Sequence, residues 1–467
     1  MIETSPHIGI EPLSTAKPIV VLGLGVAGRA AAAALRRHDY DVIVIEDAPN
    51  DDAVSFADDQ GAEFLGAPSP EQRVAAFARS GGFLPSPGIP EHHAAFAEAA
   101  DLGVPIISEF DLARWWDDRP IIAITGTDGK TSVTELTTAL LIASGKHCVA
   151  VGNTDLPFAD AIEDPSYDVF VVEASSFRLG HSARFAPTAA AWLNFSPDHL
   201  DVHASLERYE HAKAKIWEAM PVDGLVVAPV DDDTVLGHLP SGRRTVLVSS
   251  APIEAIDNAA PADAVLAHVV DGSLTLDGDR LFDVEELPRA FPHDITNALT
   301  AAALARHVGA TNDGIAEGLR SFTLPPHRIQ FVASIGGVDY YNDSKATVPH
   351  AVVTAVRSFD RVVLIAGGRN KGLDLAAMAE AGDRAHTVVA IGDAADEIEA
   401  AFMGVANVLR ATDMADAVDR ASAAASPGDV VLLSPGCTSF DAYGSYGERG
   451  NHFIEIVTDR KESEEAT

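Results

Sequence analysis

The residues Gly126-Thr127-Asp128-Gly129-Lys130-Thr131-Ser132 follow the apolar run IIAIT (Ile121 to Thr125) and precede VTELTTALLIASG, a helical pattern. Gly126 and Gly129 let a backbone curl around phosphate oxygens, Lys130 reaches toward β- and γ-phosphates, and the Thr131 hydroxyl suits Mg²⁺. A full G-x-x-x-x-G-K-[ST] loop would need glycine at Ile124, so the approach is shortened. The strand before and the helix after make a nucleoside triphosphate the expected ligand. Glu173, closing the apolar run Val169 to Val172, stands where a strand end offers a further magnesium ligand beside such a loop. His199, at the end of AAAWLNFSPDH, is a second candidate metal ligand, although an isolated histidine there is more often structural. His203 lacks the partners a zinc site requires. Lys213 and Lys215 lie two apart on EHAKAKIWEAM and read by default as solvated lysines on different sides of a helix.

A second phosphate motif lies upstream. In PIVVLGLGVAGRAAAAALRRHDYDVIVIED a strand (Ile19 to Leu22) runs into Gly23, Gly25 and Gly28, then an Ala-rich helix, then a strand ending at Glu46. This G-x-G-x-x-G presents a helix N-terminus to phosphate and a carboxylate to a ribose or base, without specifying the nucleotide. The turn Ser86-Pro87-Gly88 is placed to complete the same pocket. Past Pro325-Pro326 a third α/β pattern begins, with strands in residues 361–368, 387–393 and 429–436. Polar clusters follow its strands: residues 342–347, 367–371 and 434–439. The expected fold is therefore α/β with three domains. These are a Rossmann-like domain (1–109), a central P-loop-type ATP-binding domain with a parallel sheet (110–325), and a C-terminal Rossmann-like α/β domain (326–467).

The 467 residues exceed one core, and 47% apolar content is globular. No apolar run reaches the ~18 residues of a membrane span, no secretory signal is visible, and two cysteines cannot build a disulfide framework. A cytoplasmic protein is expected. A net charge of −36 argues against nucleic-acid binding. Any phosphate site must then owe its positive potential to a few local cations.

The order GLGVAG, TGTDGKTS, NFSPDHLDVH, AKAKIW, LPPHR, NDSKAT and LLSPGCTSFDAYGSYGERG resembles the Mur ligases over nearly the whole chain. These ATP-dependent amino-acid-adding enzymes of peptidoglycan precursor synthesis lack the first Walker glycine. NDSKAT and the C-terminal motif are most similar to the members that add D-glutamate. The resemblance implies phosphorylation of the alanyl carboxylate of UDP-N-acetylmuramoyl-L-alanine by ATP and attack of the D-glutamate amine on the acyl phosphate. The alternative is a sibling ligase, or an enzyme like folylpolyglutamate synthase, with another acceptor. An NAD-dependent oxidoreductase would leave Lys130, Thr131, Glu173 and His199 without a purpose, and a nucleotide-binding non-enzyme should have lost one of them.

By the same resemblance, Thr131 and Glu173 would hold one Mg²⁺, and His199 with Lys213, as a carbamate, a second; the catalytic set is Lys130, Glu173, His199 and Lys213. ATP would be contacted by residues 126–132, by Asn297 at adenine, by Asp343 at ribose and by Arg328 and Lys345 at phosphates. Gly25, Val26, Ala27, Glu46, Asp47, Ser86, Pro87, Gly88, Asn153 and Ser175 would serve the UDP-substrate, and Thr347, Lys371, Ser439 and Tyr446 D-glutamate. Asp128 and Asp294 stand where the family usually has asparagine, Tyr446 where phenylalanine is common, and Arg178 where glutamine is frequent with no role assigned. The expected partners are small molecules only, and a monomer is expected.

Overall fold

In a computed structural model, residues 13–200, 202–251 and 264–465 are described. The chain divides between Phe322 and Thr323 into two compact units.

The first unit holds two sheets. The smaller is parallel, in the order β3 (Glu63–Gly66), β2 (Val42–Glu46), β1 (Ile19–Leu22) and β4 (Gly82–Pro85). β1 and β4 are buried at every position and β2 at all but Glu46, as continuous apolar runs covered on both faces require. The turn after β1 is closely packed. A Cβ added at Gly28 would lie 2.0 Å from the Gly23 carbonyl oxygen and 2.4 Å from Ser86 Oγ, whereas one at Gly25 meets nothing within 4 Å. Gly28 thus serves helix–strand packing, and Gly25 leaves the helix start open to approach.

The larger sheet has nine strands, ordered β13 (Asp279–Asp283), β12 (Ser273–Leu276), β11 (Val265–Val270), β10 (Arg244–Val248), β9 (Leu225–Pro229), β8 (Ala189–Trp192), β5 (Ile121–Thr125), β7 (Val169–Glu173) and β6 (Cys148–Gly152). β5 to β11 pair in parallel. β12 and β13 extend the edge antiparallel, an addition to the parallel sheet expected from sequence. Their cause is local: Asp271-Gly272 and Asp277-Gly278 occupy the two-residue turns with φ of 47° and 76°, and 54° and 79°. Both central residues of a type I′ hairpin need positive φ, which Asp-Gly supplies. The helix Lys130–Ala143 packs on this sheet together with Pro292–His307 and Asn312–Ser321.

The second unit carries β14 (Gln330–Ile335), β15 (Val338–Asn342), β19 (Val430–Gly436), β16 (Val362–Gly367), β17 (Ala385–Ile391) and β18 (Asn407–Arg410), in that order. All neighbours are parallel except the β14–β15 hairpin, turned by Gly336-Gly337 at φ 58° and 81°. In every sheet the candidate loops leave the C-terminal ends of parallel strands, the edge at which such sheets bind ligands. Among the described residues no helix is long and apolar enough to cross a membrane.

Replacing Gly28 with alanine forces the β1 turn apart; a loss of about 3 kcal/mol is expected from overpacking against backbone. Denaturant midpoints of the two proteins measure it, and equal midpoints would show that the turn has room.

Candidate active site

The phosphate loop is built from β5 and fastened by β8. Gly129 ends it in the left-handed region (φ 82°) and starts the helix Lys130–Ala143, which has no side-chain cap. First-turn N–H groups of an uncapped helix form an anion site. The N–H groups of Thr127 and Asp128 both donate to Asn194 Oδ1 (2.9 Å each). Asn194 returns a bond from its own amide to the Asp128 carbonyl at 3.2 Å. The Thr127 hydroxyl is buried between Ser196 O and Tyr209 Oη, 3.1 Å from each. Thr127 and Asn194 thus fasten the loop, and the uncapped helix start with Lys130 follows directly after it. Thr131 and Ser132 lie in its first turn, half-buried. Asn297 comes to the same place: a Cβ on Gly129 would lie 3.5 Å from its Oδ1.

Two lysines meet on one carbonyl. Lys130 Nζ donates to Gly126 O and Thr127 O (2.8 Å each), and Lys213 Nζ to Gly126 O at 2.5 Å. Lys213 is 1% exposed, with its nitrogen 4.7 Å from the Tyr209 ring centre. Burial, and then the neighbouring Lys130 charge, push its pKa far below the ordinary lysine range, against a smaller pull from Asp198 and Asp128. Lys215 is not solvated: it donates to Gly180 O (2.7 Å) and Ser182 O (3.1 Å), tying helix to helix.

Glu173 ends β7 beside Ile124 of β5 and is 2% exposed. Its Oε1 accepts from Asn153 Nδ2 at 2.9 Å, while the buried Oε2 has no partner. An unpartnered buried carboxylate oxygen beside a phosphate loop suits a divalent cation. His199 takes φ 56°, a strained conformation for a non-glycine residue, with Nε2 3.3 Å from the buried Asp198 carboxylate. Among the described residues no three His, Cys, Asp or Glu side chains form a metal cluster. The unpartnered Glu173 oxygen fits a hard cation such as Mg²⁺, which takes further ligands from phosphate oxygens and water. His203 is a packed histidine, bonded to Glu91 Oε1 and Ser176 Oγ at 2.9 Å each.

Around the first glycine loop, Val26 is 71% exposed and Gly25 heads its helix uncapped. Glu46 turns inward, accepting the Leu24 N–H at 2.8 Å, so its carboxylate shapes the loop. Asp47 pairs with His93 at 3.0 Å. Ser86 Oγ donates to Gly23 O at 2.6 Å, and Ser175 Oγ caps Arg178 N at 3.4 Å. Ala27 and Pro87 line a small cavity with Phe177, Arg178 and His181, while Gly88 leaves its Cβ direction open. Asn153 bonds Glu173 as above.

In the second unit Asp343 is buried, accepting from Ile329 N (3.1 Å) and Ser434 Oγ (2.8 Å). Those bonds hold Arg328 between two strained residues, His327 (φ 61°) and Ile329 (φ 43°). Lys345 lies 5.5 Å over the Tyr446 ring, and Thr347 follows on the same loop. Lys371 follows β16, and Ser439, 2% exposed, follows β19. Sequence singled out the GERG segment without separating Arg449, which is 3% exposed and joins these loops. It donates to Ser344 Oγ (3.0 Å), Ser344 O (2.9 Å) and Cys437 O (3.1 Å).

Parallel sheets ending in two uncapped, glycine-started helices, with a Lys-Thr pair at one, define a nucleotide-dependent enzyme of the α/β class. A family model described as Mur ligase middle domain matches residues 124–305, and one described as Mur ligase, glutamate ligase domain matches 327–437. The chain belongs to the Mur ligase family. It is 38% identical to a UDP-N-acetylmuramoylalanine--D-glutamate ligase of Salinibacter ruber, over 94% of this chain and 96% of that one. It is 37% identical to the protein of that name from Desulfosudis oleivorans, over 98% and 100%. Among solved structures, a pseudomurein peptide ligase type C from Methanothermus fervidus matches at TM-score 0.60 and 19% identity, covering 95% of this chain and all of that one. MurF from Acinetobacter baumannii matches at 0.57 and 16%, covering 95% and 93%.

His181, stacked on Phe96 at 5.1 Å, is held by burial at a pKa of about 4. The unfolded chain therefore binds a proton below pH 6.5 that the folded chain refuses until about pH 4. Stability should fall as pH drops through that window, by about 3 kcal/mol. Urea melts at intervals across it, compared with His181→Gln, test this; parallel curves would remove His181 as the cause.

Proposed function

We propose that this chain joins D-glutamate to UDP-N-acetylmuramoyl-L-alanine, forming an amide as ATP becomes ADP and phosphate. The observation that carries the reading is the shared name of relatives 34–38% identical over nearly the whole chain. Two Lys side chains meeting on the Gly126 carbonyl, with an unpartnered carboxylate oxygen at the end of the adjacent strand, support it, because the reaction brings three anions together. An alanyl carboxylate oxygen attacks the γ-phosphorus and ADP departs. The D-glutamate amine then attacks the acyl carbon, the tetrahedral adduct loses a proton, and the carbon–oxygen bond to phosphate breaks.

Lys130 and the helix start hold β- and γ-phosphate oxygens, neutralising charge that grows on the bridging oxygen. Thr131 and Glu173 would hold one Mg²⁺, and His199 with Lys213 a second. The metal supplies charge neutralisation at the phosphates. Asn297 is assigned to adenine, and Arg328, Asp343 and Lys345 to ribose and phosphates. Thr347, Lys371, Ser439 and Tyr446 receive D-glutamate, with Lys371 opposite a carboxylate. The residues of the first glycine loop, Ser86–Gly88, Asn153 and Ser175 serve the uridine diphosphate and muramoyl parts. We assign domain limits of 1–109, 110–325 and 326–467, a monomer, and a cytoplasmic reaction between soluble substrates.

Phosphate release with ATP, Mg²⁺ and UDP-N-acetylmuramoyl-L-alanine should appear with D-glutamate and stay at background with L-glutamate or none. Release with another amino acid alone would move the chain to a sibling acceptor.

Lys213 is proposed to act as a carbamate. A buried neutral amine attacks CO₂ and sheds a proton, becoming an anion with oxygens for a cation. With ¹³C-bicarbonate a carbamate carbon signal is expected, absent in Lys213→Ala, whose kcat should fall about 100-fold or more. An active wild-type enzyme lacking that signal would leave Lys213 acting as an amine.

A further inference from the structure

Behind the unpartnered oxygen of Glu173 runs a chain of polar groups that begins at two buried side chains, Glu109 and Arg178, which the proposed reaction does not use. Glu109 opens the helix Glu109–Trp116 and is 3% exposed. Its Oε1 accepts the Ala159 N–H at 3.2 Å, and its Oε2 accepts Arg178 Nε at 3.1 Å. Arg178, 8% exposed on the helix Ser176–His181, then donates from Nη1 to Asn153 Oδ1 at 3.2 Å. Asn153 Nδ2 donates to Glu173 Oε1 at 2.9 Å, and its backbone N–H to Glu173 O at 2.9 Å.

The direction of this chain is fixed at one end. A guanidinium has only donors, so the Asn153 atom facing it must be the carbonyl oxygen, and the NH₂ must face Glu173. That NH₂ ties down one carboxylate oxygen and leaves the other without a protein partner. Asn153 is itself exposed, so packing does not hold its amide. A flipped amide would set its oxygen against the carboxylate. Arg178 cannot turn away, because Glu109 and the Phe110 ring, 6.0 Å from its Cζ, hold it from the helix Glu109–Trp116.

We propose that Arg178 is a positioning residue: anchored by Glu109, it orients the Asn153 amide so that Glu173 presents Oε2 to a divalent cation. This rests on the reading of Glu173 as a magnesium ligand. Hydrogen-bond partners of a metal ligand commonly carry 10- to 100-fold of metal affinity, which sets the expected size.

The test is Mn²⁺ binding to the ADP-loaded full-length protein, followed by electron paramagnetic resonance, with melting temperature recorded for each variant. Arg178→Met combined with Glu109→Gln removes the pair without stranding a buried charge. Arg178→Lys keeps a cation against Glu109 but loses the fork that reaches both partners, and provides the same test should the double variant not fold. Asn153→Ala cuts the chain at its exposed link. Each should weaken Mn²⁺ binding about 10-fold. Combining Asn153→Ala with an Arg178 change should weaken it no further, since both act through one contact. Unchanged Mn²⁺ affinity in the Arg178 variants, or losses that multiply to about 100-fold in the combination, would overturn the proposal. Glu173→Ala separates the two readings. If it abolishes Mn²⁺ binding the metal assignment stands on its own, and if binding is unaffected that assignment fails and the positioning role fails with it.

Discussion

Two lysine side chains donate to one carbonyl oxygen, that of Gly126, and the site is organised around the consequence. Two ammonium groups cannot both stay charged at such spacing when one is out of water, because Coulomb repulsion and desolvation act in the same direction. Lys130 is half-buried at the start of its helix, whereas Lys213 is enclosed, and burial together with the neighbouring Lys130 charge pushes its pKa far below the ordinary lysine range. One residue type thus meets a single carbonyl from two environments, one half-buried and one enclosed. The division depends on the loop staying where it is. That explains why its amides at Thr127 and Asp128 are committed to Asn194 and its hydroxyl to Tyr209.

The same constraint resolves the conflict between a chain of net charge −36 and a reaction among anions. What acts on a bound phosphate is the nearby potential, from Lys130 and an uncapped helix, while distant carboxylates are screened beyond about 10 Å. Glu173 and Asp198 are buried carboxyl side chains close to the loop, while most of the chain's other carboxylates lie elsewhere on it. The protein's acidity and its phosphate chemistry therefore occupy different length scales.

Much of this was legible in order along the chain. β1 and β5 have the limits their apolar runs predict, and the glycine–lysine–threonine loop lies between strand and helix as its spacing demands. The antiparallel edge of the large sheet was equally written, in Asp271-Gly272 and Asp277-Gly278, but those pairs sit among charged residues whose alternation is weak. The fate of Lys215 was not legible. Its partners are carbonyls of a helix more than thirty positions away, and a lysine on an amphipathic helix reads as solvated unless the neighbour is known. Glu109 and Arg178 are 69 positions apart, so nothing local marks them as a pair.

A motif match also says which residues matter without saying how. Ser86, Ser175, Glu46 and Asp343 all lie in stretches that resemblance links to ligands, yet their side chains are bonded to the protein's own backbone or to a neighbouring hydroxyl. Each holds a loop in a shape that leaves something else presented: an open helix start above Gly25, or Arg328 between two residues of positive φ. Such strain persists only where surrounding bonds over-determine it, and Asp343 and Asn342 supply those bonds. Loss of one of these side chains would weaken ligand binding by releasing the loop, the same phenotype as loss of a direct contact. The two are separated by the unliganded protein, which a loop-holding residue destabilises and a contact residue does not.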